Sequence, residues 1–153
     1  CLRCREVRAQ KVDRSQLNFE DFTYPAAYAQ EHFLSFVTTD DHVAGYLRLS
    51  MSANFPPEIK ELSQNLYRHA PELSEAAIIR EVHVFGQSLE MGTEQSGAAQ
   101  HIGLGTELIQ KAEEVSKNAG FNKIAVISAI GTREYYQKRG YTLGNYYMTK
   151  RLP

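Results

Sequence analysis

The chain predicts a mixed α/β domain on three observations. Runs rich in β-branched and aromatic residues, at 31–37, 43–49, 77–85 and 123–130, alternate with segments of helical spacing. One such segment sets Leu104, Leu108, Ala112, Val115 and Ala119 four, four, three and four residues apart, the stripe of a helix laid on a core. The third is size, since 153 residues without an internal repeat suffice for one domain with its own core.

The chain begins with Cys1 rather than Met, as a fragment or processed product would. Residues 1–14 set Arg3, Arg5, Arg8, Lys11 and Arg14 against Glu6 and Asp13 and read as a basic linker ahead of a domain spanning 15–153. Such a segment is either a solvated edge or a contact for RNA phosphates. Cys1-Leu2-Arg3-Cys4 is half a zinc set, and a structural zinc needs about four ligands, so no metal is expected within this chain.

The aromatic stretch near Asn18–Tyr28 contains the first strand. Residues 31–37 and 43–49 flank Thr38–His42 as a hairpin with an Asp-Asp turn, and Gly45 marks a bulge or close packing. Asn54-Phe55-Pro56-Pro57 breaks the chain before a helix over Glu58–Arg68, with Ile59, Leu62 and Leu66 on one face. In the strand Ala77–Phe85, alternation after Ile79 puts Arg80, Val82 and Val84 on one face and Glu81, His83 and Phe85 on the other. The loop Gly86–Ala99 is longer than an ordinary connection. A helix runs from Leu104 to Gly120, with Glu107–Lys111 and Glu113–Lys117 as pairs on its outer face. Residues 123–130 form a buried strand, Gly131-Thr132 opens a short helix through Arg139 closed by Gly140, and 141–150 supplies the last strands.

The 17 basic and 18 acidic residues nearly cancel, which argues against a protein whose affinity comes mainly from phosphate charge. No apolar run of about 18 residues and no signal-peptide pattern occurs, so a soluble cytoplasmic protein without membrane contact is expected.

The motif richest in chemistry is Gln100-His101-Ile102-Gly103-Leu104-Gly105 at the head of the long helix. Glycines let a backbone approach an anion, and a helix N-terminus offers free N–H donors and partial positive charge. A P-loop would continue with Lys-Ser/Thr, where this chain has Thr106-Glu107. A dinucleotide fold would place a third glycine at Leu108. The remaining pattern, Gln-x-x-Gly-x-Gly before a helix, resembles the acyl-coenzyme A signature of the GNAT acetyltransferases.

Four further blocks extend the likeness: Cys1-Leu2-Arg3-Cys4-Arg5-Glu6-Val7, Ile79-Arg80-Glu81-Val82-His83-Val84-Phe85-Gly86, Lys123-Ile124-Ala125-Val126-Ile127-Ser128, and Gly131-Thr132-Arg133-Glu134-Tyr135-Tyr136-Gln137-Lys138-Arg139-Gly140-Tyr141. Together they resemble the acetyltransferase domain of the Elongator catalytic subunit, of the tRNA uridine(34) acetyltransferase family. The resemblance implies a GNAT acyl-CoA N-acyltransferase fold, with a mixed central sheet, two splayed strands and flanking helices. It also implies acetyl-CoA as the bound coenzyme, tRNA as substrate, and a preceding radical SAM domain with S-adenosylmethionine and a 4Fe-4S cluster. In a eukaryote, other Elongator subunits would be partners.

By the same resemblance, Val82, His83 and Val84 pair with the pantetheine arm, while Gln100, His101, Ile102, Gly103, Leu104, Gly105 and Thr106 hold the pyrophosphate. Tyr135 and Tyr136 are candidates to protonate the departing thiolate, with Tyr136 also lining the coenzyme. A phenol titrates near 10, so it keeps its proton at neutral pH. Adjacent helical residues point about 100° apart, so one tyrosine faces the sulfur and the other packs. Glu81 and His83 either relay a proton or are polar residues under the long loop. Three functions fit: acetyl supply or hydrolysis for wobble-uridine carboxymethylation, an ordinary N-acetyltransferase for a lysine or small amine, and a non-catalytic acyl-CoA module.

Overall fold

In the computed structural model, which describes residues 1–8, 12–52, 57–85 and 99–153 (backbone alone at 99–102), one sheet organises the chain. Its strands are β1 (Leu17–Pro25), β2 (Gln30–Thr38), β3 (Val43–Met51), β4 (Ala77–Val84), β5 (Lys123–Val126), β6 (Thr142–Leu143) and β7 (Met148–Arg151). They lie in the order β1-β2-β3-β4-β5-β7-β6, with only the β4–β5 pair parallel. The helices are α1 (Leu2–Arg5), α2 (Pro57–His69), α3 (Ala99–Asn118) and α4 (Arg133–Gln137). None of the described helices is long and apolar enough to cross a membrane.

The β2–β3 hairpin forms where expected. Asp41 takes φ 67°, and Thr38 donates its hydroxyl to Asp40 while accepting the His42 N–H at 3.0 Å. Alternate residues Leu34 and Phe36, Leu47 and Leu49, and Ile79 then point to one face, where Leu104, Leu108, Ile109 and Ala112 of α3 cover them. Each such buried aliphatic side chain contributes roughly 1.5–3 kcal/mol of transfer free energy. Gly45 permits this contact, because a Cβ there would lie 3.4 Å from Leu108 Cδ1 and 3.2 Å from the His83 carbonyl oxygen. The bulge expected near it also forms, since Phe36 pairs with Gly45 but Val37 with Val43.

A second bulge was not legible. Arg48 pairs with Glu81 and Leu49 with Ile79, so Arg80 is an extra residue in β4. It restores Ile79 to the same face as Val82. Arg80 departs from the face expected for it and instead reaches Glu31 at 3.4 Å, on the side that bears Glu81. A bulge bends its strand and sharpens the local twist. This one lies where β4 parts from β5, whose pairing covers only Ala77–Ile79 with Ile124–Val126.

Other expectations are corrected. Helix α3 begins at Ala99 rather than Leu104, so Gly103 and Gly105 lie within its first turns and not in a preceding turn. Its predicted surface pairs give way to other partners: Glu107 binds Arg14 at 2.7 Å and Glu113 binds Lys150 at 2.7 Å, both from distant elements, while Lys111 binds Glu114 on the same helix at 2.9 Å. Ala119, the last residue of the expected stripe, is exposed. The strand expected over 123–130 stops at Val126, and Ile127 and Ile130 are 61% and 80% exposed. In α2 the apolar face is turned outward, with Leu62 69% exposed.

Within residues 1–14, expected as a linker, Val7 and Val12 join the core, Arg5 and Arg14 pair with Asp41 and Glu107, and Arg8 pairs with Glu6 of the same segment. Residues 86–98, most of the loop expected over Gly86–Ala99, lie outside the described residues. At the far end, buried Glu72 accepts the N–H groups of Asn145 and Tyr146 and fixes the β6–β7 turn. Burial pushes its carboxyl up, but the backbone donors outweigh that and hold it below the usual value.

Candidate active site

Beyond Ile79, β4 has no strand beside it on the β5 side among the described residues. The Phe85 N–H donates to the Ala44 carbonyl on β3 at 2.9 Å. Because backbone polar groups alternate along a strand, those of Val82 and Val84 point the other way, into the gap. Buried backbone donors and acceptors need partners, so this open edge is a ready hydrogen-bonding track for an extended chain. Two orphaned side-chain atoms belong to segments that follow β5: Ser128 Oγ and Arg133 Nε are buried with no hydrogen-bond partner among the described residues.

Three candidate residues converge on this gap. A Cβ built on Gly105 would lie 2.8 Å from the Tyr135 hydroxyl oxygen and 3.6 Å from Val84 Cγ2. The phenol of Tyr135 therefore rests on the glycine at the head of α3, beside the end of β4. Tyr136 turns the other way and is 8% exposed, edge-on to Tyr135 at 5.3 Å and to Tyr141 at 5.6 Å. Burial raises its pKa.

Gly103 has no such structural reason. Its φ is not positive, and nothing described lies within 4 Å of the place a Cβ would take. A glycine inside a helix costs roughly 0.5–1 kcal/mol relative to alanine. Leu104 is buried in the core, and Thr106 turns its hydroxyl to Arg139. The side chains of Gln100, His101 and Ile102 lie outside the described residues.

Glu81 and His83 stand apart from Tyr135, on the β4 face opposite Val82 and Val84. Glu81 accepts the Tyr46 hydroxyl at 2.5 Å and lies 3.8 Å from Arg48, so its carboxylate is engaged. His83 is exposed, with its ring 4.5 Å from that of Phe85. Sequence reasoning missed Tyr46, whose alternation with Arg48 was the available signal, and Arg139, which stands one helical turn after Tyr135.

Burial first, then the Glu81 hydrogen bond, pushes the Tyr46 phenol up to about 12. The unfolded phenol ionises near 10. This contribution to stability is fully present below pH 10 and disappears as the pH climbs toward 12. Tyr141, buried against Glu113, is shifted the same way. Between pH 9 and 11.5 the wild type should lose on the order of 2 kcal/mol more stability in denaturant melts than Tyr46→Phe, in which the Tyr141 share of the loss remains. Parallel losses in the two proteins would count against the assignment.

Residues 4–141 match the Acetyltransferase (GNAT) family. The chain is 34% identical over 156 residues to the tRNA uridine(34) acetyltransferase of Dehalococcoides mccartyi, covering 99% of this chain and 32% of that protein. It is 33% identical to Elongator complex protein 3 of Schizosaccharomyces pombe, over 98% of this chain and 28% of that one. Among solved structures it resembles an N-terminally deleted archaeal Elp3 from Methanocaldococcus infernus, with TM-score 0.71, 30% identity, and coverage of 99% of this chain and 35% of that one. The chain thus spans about a third of the length of the curated relatives it matches.

Proposed function

Given that the chain belongs to the acetyltransferase (GNAT) family and is an acyltransferase domain, we propose that it binds acetyl-coenzyme A between β4 and β5 and supplies the acetyl group for modification of tRNA wobble uridine. The observation that carries the coenzyme half is the open edge of β4 converging with Gly105 and the Tyr135 hydroxyl. The RNA half rests on the names of the relatives, which are acetyltransferases of tRNA uridine 34 or Elongator proteins.

Acetyl-coenzyme A brings an activated acyl group as a thioester. The backbone of Val82 and Val84 pairs with its extended arm. Gly103 admits its phosphates against α3, whose N-terminal dipole favours negative charge. The Val84 N–H faces the gap, where it steadies negative charge growing on a carbonyl oxygen. Tyr135, with its hydroxyl at the same mouth, hands a proton to the departing thiolate. Tyr136 packs and holds α4 in place. With Glu81 engaged by Tyr46, the exposed His83 is the freer of the two candidate bases.

Incubation with acetyl-labelled coenzyme, with and without tRNA, tests this reading. Coenzyme A release should rise when tRNA is added. Label appearing on lysine or a small amine without RNA would make the protein an ordinary N-acetyltransferase. Tight coenzyme binding with no cleavage under either condition would make it a binding module. Release is best followed by chromatography, because Cys1 and Cys4 are exposed thiols that would react with a thiol reagent.

A further inference from the structure

Arg139 stands four residues after Tyr135, just past the end of α4. Its guanidinium carbon lies 3.4 Å from the centroid of the Tyr135 ring, in stacking contact. From there Nη1 donates to the Tyr135 carbonyl oxygen at 2.5 Å, while Nε and Nη2 donate to Thr106 Oγ1 at 3.2 and 2.5 Å. The planar fork thus ties three things together: the ring of Tyr135, the backbone that carries it, and the second turn of α3. An arginine in this position would ordinarily be expected to find a carboxylate. None of the described ion pairs includes Arg139. Its donors are spent on neutral groups around one phenol.

The opposite end of that phenol is fixed as well. The hydroxyl oxygen occupies the space over Gly105, where a Cβ would come within 2.8 Å. A tyrosine side chain has two rotatable torsions, and an exposed ring samples several rotamers. Here the ring is stacked along one face by Arg139, and its tip rests on Gly105. Lysine would not reproduce this arrangement, since a single ammonium cannot bond Thr106 and the Tyr135 carbonyl while lying flat on the ring.

We propose that Arg139 is a positioning residue that holds the Tyr135 hydroxyl at Gly105, where the proton is delivered. The proposal rests on the acetyl-coenzyme A reading given above. It assigns Arg139 no contact with the coenzyme, so its loss lowers turnover and leaves affinity alone.

The test has one arm that needs no coenzyme. In the free protein, the Tyr135 ring protons should show a nuclear Overhauser contact to the Gly105 α-protons. Arg139→Leu should abolish it while contacts between Tyr136 and Tyr141 persist, and Arg139→Lys should retain part of it. In turnover with tRNA, Arg139→Leu should lower kcat at least roughly tenfold, as loss of orientation does, with the KM for acetyl-coenzyme A within about twofold. Arg139→Lys should fall between. In a Tyr135→Phe background Arg139→Leu should add nothing. An unchanged Tyr135–Gly105 contact in Arg139→Leu overturns the proposal. So does a raised KM at constant kcat, which would make Arg139 a coenzyme ligand. If the wild type binds no acetyl-coenzyme A, the functional reading falls, and the Tyr135–Gly105 contact alone decides the positioning role.

Discussion

Tyr135→Phe should lower acetyl-coenzyme A cleavage roughly 100-fold, the lower end of what a general acid contributes, while coenzyme affinity changes less than about threefold. The substitution removes one oxygen and keeps the ring, so the stack under Arg139 and the edge-on contact with Tyr136 survive. What disappears is the hydroxyl that rests on Gly105. Tyr136→Phe is the control. That ring is buried against Tyr141, away from the gap, and the loss of its oxygen should cost less than about threefold in turnover. Steady-state rates and calorimetric affinities for both variants check this. Equal losses in the two would remove the distinction drawn between them, and a loss confined to Tyr136→Phe would reverse their roles.

Gly103→Glu should abolish coenzyme binding and leave the fold intact or slightly stabilised. The two effects have opposite signs, which makes the variant informative. Open space surrounds the Cβ position among the described residues, and exchanging a helical glycine for glutamate favours the helix by roughly 0.5–1 kcal/mol. The same carboxylate would face the coenzyme's diphosphate, where like charge and lost room both oppose binding. Thermal unfolding would show the first effect as an unchanged or raised Tm. A Gly105 substitution would be less clean, because its Cβ collides with the Tyr135 hydroxyl and disturbs fold and site together.

Periodicity made the main elements legible. The stripe Leu104, Leu108 and Ala112 does face the core, the Thr38–His42 turn does join two strands, and Gly140 does close the short helix with φ 86°. What failed was whatever depended on distant partners. Glu107 and Glu113 sit at ideal spacing for Lys111 and Lys117, yet Arg14, Lys150 and Tyr141 reach them first. Local pairing on a helix is worth only a few tenths of a kcal/mol, so tertiary geometry overrides it easily. The outward face of α2 has the same origin: spacing shows that Ile59, Leu62 and Leu66 share a side, not what that side meets. The bulge at Arg80 leaves no composition signal, since neither glycine nor proline marks it. Within the site, the family resemblance pointed to Tyr135 and Tyr136 together, and only packing separates the phenol that rests on Gly105 from the one buried against Tyr141. Glu81 drew notice as an ionisable group on the central strand, but its partner Tyr46 lies on a neighbouring strand that spacing alone could not align with it.

Whether the gap beside β4 takes acyl-coenzyme A is decided by calorimetric titration of the wild type and Gly103→Glu with acetyl-coenzyme A, with NAD as a control. The wild type should bind acetyl-coenzyme A with micromolar affinity, Gly103→Glu should not bind it, and NAD should give no heat. Equal affinity of the two proteins for acetyl-coenzyme A, or no binding to the folded wild type, would contradict a coenzyme site there.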